Sequence, residues 1–411
     1  MLSSATSPAS TPKLLDVLII GGGLSGVMVA HELHHNLFKS LPASAVVGRQ
    51  ETTTPEWNLL EAHTELGGRL RNDNEGNRID LGGAWIWPAH QPYMKRLVQR
   101  LSIPTFPQPD DSSSTRIDGG AVSIVHKLAE SLPDDCIKLA TPVTTVTLDN
   151  TTRISSDTDS DTDKDSNQKN GPVIRVDTKT GDTFLAKRVV VALPPRLVAK
   201  SITFDPPLPL EKQAAMQRSR TWMAGVTKVS LLFTNRFWSL ETSNAGLPRG
   251  AGPAFQVYDA STKDGSVSAL TFFALVPPGS ALQKNDETLA QQCAKQLSKL
   301  WSYFGMDQQA AQVQKDFTGF HVQRWPQEAY ISDEPEPAEI HPHPYPVQAL
   351  SAPAWDGTLQ FAGSETDRGS PGVMEGAVGS ALRVVQSIRD SLLQEGEKTE
   401  PGSSKQCSES D

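Results

Sequence analysis

Residues Leu14–Ile20 form a short apolar run interrupted only by Asp16. The run leads directly into Gly21-Gly22-Gly23-Leu24-Ser25-Gly26 and then a small-residue helical pattern over residues 27–37. A strand that turns through glycines into a helix is the entry to a parallel, helix-covered sheet, so this feature points first to an α/β fold. In Gly21-x-Gly23-x-x-Gly26, Gly21 permits the tight turn, Gly23 lets backbone approach a pyrophosphate, and Gly26 lets helix and strand pack closely. Ser25 lies in the same turn and is a candidate dinucleotide contact. Unpaired N–H groups and the helix dipole favour negative charge there. A second strand, Trp57–Leu60, ends in Glu61, an acid suited to ribose hydroxyls. Glu61 lies 35 residues beyond Gly26, against a usual separation of about 20. A polar, Thr-rich surface insertion over residues 42–56 accounts for much of the excess. Taken alone, the pattern leaves open a glycine-rich turn before an ordinary solvent-facing glutamate.

Periodicity extends the scheme. Residues 93–101, 123–132, 289–304 and 374–393 read as helices, and 142–148, 173–177, 188–193 and 359–362 as strands. Residues 226–233 and 268–275 alternate like strands of an antiparallel sheet. With 411 residues, 37 % hydrophobic and 21 % charged, the chain can bury a sizeable core and is neither fibrous nor disordered as a whole. Residues 1–12 and 395–411 read as disordered tails and 151–171, rich in Asp, Ser and Thr, as a disordered loop. The loop and the C-terminal tail hold five of the nine excess negative charges. The mild remainder and the absence of a basic stripe argue against nucleic acid. No stretch approaches the ~18 apolar residues of a membrane span. Three scattered cysteines make neither a disulfide framework nor a metal site and favour a reducing, cytoplasmic setting.

Glu61-Ala62 followed by Leu66-Gly67-Gly68-Arg69 resembles the second FAD fingerprint of the flavin-dependent monoamine oxidase and polyamine oxidase superfamily. There Gly67 and Gly68 would let backbone pass the pyrophosphate while Arg69 supplies a charge-assisted contact. Asp80-Leu81-Gly82-Gly83-Ala84-Trp85 is similar to the family's segment beside the isoalloxazine ring, and Pro142-Val143 to the strand whose Val main chain meets the adenine. Residues 189–195 and 202–209 resemble the return crossing between domains. Phe361 to Thr366, with Gly363 and Glu365, and Gly372-Val373-Met374-Glu375-Gly376-Ala377 resemble the C-terminal FAD signature, where a helix start faces the flavin pyrimidine. The motifs occur in family order from residue 14 to 385.

The resemblance implies two catalytic candidates. Lys228, after Thr227, stands where the family's lysine assists flavin reoxidation through a water; a plain strand lysine is the alternative. Trp325 stands where the family has a tryptophan near the flavin, a core tryptophan being the bland reading. The implied architecture is an FAD domain from 13–88, 116–205 and 354–394, intertwined with an α+β substrate domain from 89–115 and 206–353. Three departures stand out. Residues 332–345 contain no cysteine, so FAD is expected to be noncovalent. The family's aromatic-cage tyrosine is replaced by Val373, with Pro371 nearby. Between Pro104 and Arg116 a dozen residues stand for a long helical part of the family's substrate domain, leaving an open pocket, one covered by a partner, or poor activity.

The leading expectation is therefore an FAD-dependent oxidase acting on the C–N bond of a small-molecule amine, with molecular oxygen as acceptor. No His, Asp or Glu is recognisable as an obligatory base. A flavin dehydrogenase or desaturase of a larger biosynthetic metabolite is the second reading, favoured by Val373 and the shortened segment. A non-catalytic binding protein of the same fold, comparable to the GDP-dissociation inhibitors, is the third; the retained Gly21, Gly23, Gly26, Glu61, Arg69 and Lys228 argue against it. The sequence sets no oligomeric state.

Overall fold

A computed structural model describes residues 12–37, 56–76, 78–109, 111–149, 172–239, 245–248, 250–332 and 339–399. Leu14–Ile20 lies inside an eight-stranded sheet. It pairs in parallel with Trp57–Leu60 on one side and Thr183–Val191 on the other, setting Ile20 opposite both Leu60 and Val191. Ile137–Lys138 adds a parallel strand outside Trp57–Leu60. Such strands are covered on both faces, and Val17, Leu18, Ile19 and Ile20 are all buried. Thr183–Val191 changes partner along its length. Its first half pairs antiparallel with Val173–Thr178 and its second half parallel with Leu359–Phe361. Val143–Asp149 and Thr203–Asp205 complete the outer edge.

Helices Leu24–Glu32, Pro92–Arg100, Val122–Ala129 and Met374–Thr399 share one core, in which Val27, Met94, Val125 and Val384 are buried together. Leu24–Glu32 continues through a π-helical turn to Leu37. On the opposite face Val198, Met216 and Leu350 pack from Pro195–Ser201, Leu210–Arg218 and Gln348–Ser351.

The second sheet is antiparallel, in the order Ala245–Gly246, Ala254–Asp259, Ser268–Ala274, Thr227–Phe233, Phe317–Arg324. Strand side chains alternate between faces. Val229 and Leu231 pack with Phe272, Leu297 and Trp301 under helices Asp286–Tyr303 and Asp307–Lys315, which leaves Lys228 and Ser230 on the other face. A small cluster of Ile79, Leu81, Ala260 and Ala269 attaches the 79–85 segment to that sheet. A third sheet joins Trp85–Ile86, Asp111–Ile117 and Thr105–Gln108. The α/β class and the antiparallel second sheet are thus as the sequence implied.

Four helices lie across the boundaries expected above. Pro92–Arg100, assigned above to the substrate domain with 89–115, packs through Met94, Leu97 and Val98 into the core that Leu24–Glu32 and Met374–Thr399 share. Its apolar positions give a helix face but do not say which core receives it. Likewise Leu210–Arg218 and Gln348–Ser351, placed in 206–353, cover the large sheet. The C-terminal tail does not begin at 395, because helix Met374–Thr399 runs on and Arg188 Nη2 donates to Glu395 Oε1. The rest of that tail, the N-terminal tail up to residue 11, the insertion over 42–55 and the 151–171 loop lie outside the described residues. No helix among the described residues is long and apolar enough to cross a membrane.

Candidate functional site

The turn after Leu14–Ile20 has little room. A Cβ on Gly26 would lie 1.8 Å from the Gly21 carbonyl oxygen, so only glycine allows the helix to start this close to the strand. Gly23 caps the helix N-terminus with no side-chain hydrogen bond, which leaves first-turn N–H groups to another acceptor. Gly23 forms a parallel bridge with Gly67, and Gly67 N–H donates to the Gly22 carbonyl (3.0 Å). The two glycine fingerprints are therefore pressed together. A Cβ on Gly23 would nevertheless meet nothing closer than 3.9 Å, and that contact is with Gly67 and Gly68. A cradle with backbone on two sides and a helix N-terminus behind it fits a dinucleotide pyrophosphate.

Glu61 is buried at the end of its strand. Its Oε2 accepts from Gly22 N–H (2.5 Å) and its Oε1 from His63 N–H (2.8 Å). Thr141 N–H donates to the Glu61 carbonyl (2.8 Å), which brings Pro142-Val143 to the same end of the sheet. Arg69 does not stand free for phosphate. Its guanidinium forks onto Glu365, at 2.6 and 3.0 Å, and donates to Ser364 Oγ (2.9 Å). Burial pushes the Glu365 carboxyl up, but the charge and hydrogen bonds of Arg69 more than offset this and hold it below the usual range. Ser25 Oγ accepts from Gly363 N–H (2.9 Å), a second tie between first and last motifs. Gly372, at φ +83°, sits beside Pro344 and Trp222, whose ring packs 4.9 Å from that of His343. Val373 and Met374 follow, half-buried, and Met374 approaches Gly83.

The 80–85 turn is held by its carbonyls. Lys228 Nζ donates to those of Asp80 (2.7 Å) and Gly82 (2.8 Å), and Trp325 Nε1 donates to that of Leu81 (3.0 Å). Both catalytic candidates thus reach the same turn from the second sheet, leaving Gly83, Ala84 and Trp85 beyond it. Lys228 is buried, and desolvation lowers its pKa to about 8, Asp80 opposing the shift and Arg116 adding to it. Burial likewise raises the Asp80 carboxyl, against the attraction of Arg116 and Lys228. Asp80 Oδ1 accepts from Ala121 N–H (2.7 Å), while its buried Oδ2 has no hydrogen-bond partner among the described residues.

Lys228 Nζ lies 5.3 Å from the Trp85 ring centroid and 5.6 Å from that of Phe273. Tyr258 packs against both rings, at 4.9 and 5.3 Å. The short segment before Arg116 is a hairpin that braces this wall. Gln108 accepts from Trp85 Nε1 (2.9 Å) and donates to the Asp259 carbonyl (3.1 Å). Arg116 donates to the carbonyls of Ala260 and Ser261. Gln108, Arg116, Trp222, Tyr258 and Phe273 were not picked out as site residues from sequence. Each meets partners distant in sequence, where no local pattern signals the contact.

A family model described as flavin containing amine oxidoreductase matches residues 110–389, and one described as NAD(P)-binding Rossmann-like domain matches residues 19–101. A probable flavin-containing monoamine oxidase A from Dictyostelium discoideum is 25 % identical over 283 residues, 68 % of this chain and 54 % of that protein. The horse (Equus caballus) flavin-containing amine oxidase A is 27 % identical over 282 residues, 68 % of this chain and 47 % of that protein. The chain spans about half the length of these curated relatives. Among solved structures, wild-type putrescine oxidase bound to putrescine has a TM-score of 0.65 at 16 % identity, covering 92 % of this chain and 99 % of that one. Cyclohexylamine oxidase from Brevibacterium oxydans IH-35A has a TM-score of 0.65 at 17 % identity, covering 93 % and 100 %. With the motif geometry and a family match over most of its length, the chain belongs to the flavin-containing amine oxidoreductases.

Proposed function

We propose that this chain binds FAD noncovalently and oxidises the C–N bond of a small-molecule amine to an imine. Water then yields an aldehyde or ketone with ammonia or an amine, and oxygen leaves as hydrogen peroxide. One observation carries the reading: four motif segments, scattered from residue 21 to residue 374, meet in one place, and Lys228 and Trp325 hold the turn between them. FAD would supply the two-electron chemistry, taking hydride from the amine-bearing carbon and passing the electrons to oxygen.

The protein's own part is binding, orientation and electrostatics. The Gly23–Gly67–Gly68 cradle and helix N-terminus would hold the pyrophosphate, Glu61 the ribose, and Val143 the adenine end. Arg69 neutralises Glu365 behind this site, so the C-terminal motif can approach without an unpaired buried carboxylate. The aromatic wall of Trp85, Tyr258 and Phe273 would exclude water and seat the apolar part of an amine. Among the described residues, cysteine placement supports noncovalent attachment: Cys293 is buried under the second sheet, and Cys136 packs at the edge of the first.

The relatives' amines, putrescine and cyclohexylamine, are the first compounds to try. Anaerobic mixing with a panel of amines is expected to bleach the flavin with at least one of them, and air is expected to restore its colour with release of peroxide. Bleaching by none of them would contradict the oxidase reading. A dehydrogenase is the second reading, because Lys228 already gives two N–H groups to backbone carbonyls. It predicts bleaching without rapid recovery in air.

A further inference from the structure

The loop after Glu61 and the turn holding Trp325 are far apart in sequence, yet one chain of polar contacts joins them. His63 N–H donates to Glu61 Oε1 (2.8 Å), and His63 Nε2 lies 2.7 Å from Glu328 Oε1. The other Glu328 oxygen accepts from Arg71 Nη1 (2.7 Å), which also reaches Gln323 Oε1 (3.3 Å). The Arg71 guanidinium lies 5.6 Å from the Trp325 ring centroid. The Arg71 carbonyl accepts from the N–H groups of Leu81 (2.8 Å) and Gly82 (3.2 Å). Trp325 closes the circuit through Nε1–H to the Leu81 carbonyl (3.0 Å). Arg71 therefore holds the 81–82 turn with its backbone and Trp325 with its side chain.

The circuit is partly shielded. The Arg71 and Glu328 side chains are 18 % and 12 % exposed, so their attraction is less screened than on an open surface. Burial pushes the Glu328 carboxyl up, but the hydrogen bond and charge of Arg71, then His63, more than offset this, so it stays anionic. Substituting one member leaves the others with unmatched charge or hydrogen bonds, and an effect at one end would reach the other.

We propose that His63, Glu328 and Arg71 are positioning residues that couple the Glu61 end of the site to the seating of Trp325 and the 81–82 turn. The proposal rests on the FAD reading above and adds that the two ends act as one unit. In FAD-saturated protein, His63→Gln is expected to change the visible circular dichroism of the bound flavin and to slow its anaerobic reduction by amine about tenfold. FAD affinity should fall as well. In a Glu328→Gln background the same substitution should add nothing further, because the link is already cut. Arg71→Lys, which keeps the charge but loses the planar guanidinium beside Trp325, should reproduce the dichroism change more weakly.

His63→Gln protein that binds FAD more weakly but, once saturated, shows wild-type dichroism and reduction rate would overturn the coupling. So would independent, multiplying effects of the His63 and Glu328 substitutions. Failure of wild-type protein to take up FAD would instead overturn the functional reading, and this proposal with it. If Glu328→Gln fails to fold, Arg71→Met serves as the background in the same cycle, since it cuts the next link between Glu328 and Trp325.

Discussion

Lys228 shows how burial and function interact at one side chain. Two of its three N–H donors go to the Asp80 and Gly82 carbonyls, and aromatic rings stand nearby. With a pKa lowered to about 8 by desolvation, it is still mostly charged at neutral pH. If that charge assists the oxygen step, reoxidation should fall as pH rises through about 8, and Lys228→Met should slow it about a hundredfold. Rapid-mixing of reduced enzyme with oxygen would measure both; an unchanged rate in Lys228→Met would remove the residue from the chemistry. The stability sign is opposite. Below about pH 8 the lysine is protonated folded and unfolded, and its burial cost is fully present. Between about 8 and 10.5 only the unfolded state holds the proton, so this residue's contribution to stability rises with pH.

Arg69 and Glu365 are a buried pair of the opposite kind. Arg69→Met would leave a carboxylate that is 1 % exposed without its cation, at a cost of about 3 kcal/mol. Because the folded pKa of Glu365 is depressed, its contribution is complete above about 4.5 and lost as pH falls through the lower folded value. Urea unfolding at pH 7 and in acid should show the difference between wild type and Arg69→Met shrinking in acid. A constant difference would show that the pair does not set Glu365's ionisation.

At the scale of elements, the strand–turn–helix unit was legible because its constraints are local. Gly26 must be glycine since the Gly21 carbonyl lies where its Cβ would go. Gly26→Ala is therefore expected to destabilise the protein by about 3 kcal/mol. Gly246→Ala, where a Cβ meets nothing within 4 Å, should change stability by no more than about 0.5 kcal/mol. Equal effects in urea melts would refute this reading of the turn. The limits of Thr227–Phe233 were legible because one face meets helices, whereas Thr183–Val191 begins five residues before the expected 188 and Ala254–Asp259 and Phe317–Arg324 were not recognised as strands. Helix Pro92–Arg100 was recognisable as a helix but not assignable to a core, because amphipathicity gives a buried face and not the partner it meets. Arg69 stood out within its motif, but its pairing with Glu365, 296 residues away, was not legible. A guanidinium's partner depends on tertiary placement.

At the scale of the molecule, the 79–85 segment packs on the antiparallel sheet. The paired strands Thr105–Gln108 and Asp111–Ile117 link that sheet to the larger one's helical layer, with Ile117 buried in the first core and Arg116 bonded to the second sheet. Arg116 is buried and donates to carbonyls at the end of Ala254–Asp259 and just beyond. The sequence showed that this segment was short but not that it forms a brace. Arg116→Met should loosen the joint, so calorimetry is expected to resolve two unfolding transitions where wild type shows one. A single transition lowered as a whole would mean that the sheets remain one cooperative unit.

The central claim is that the converging motifs hold FAD, and an absorbance spectrum of the purified protein titrated with FAD tests it most directly. The account predicts a yellow protein with a flavin band perturbed from that of free FAD, saturating at one FAD per chain and releasing all of it on acid precipitation. A colourless protein that takes up no added FAD would contradict the account, leaving a binding protein that keeps the fold without its cofactor.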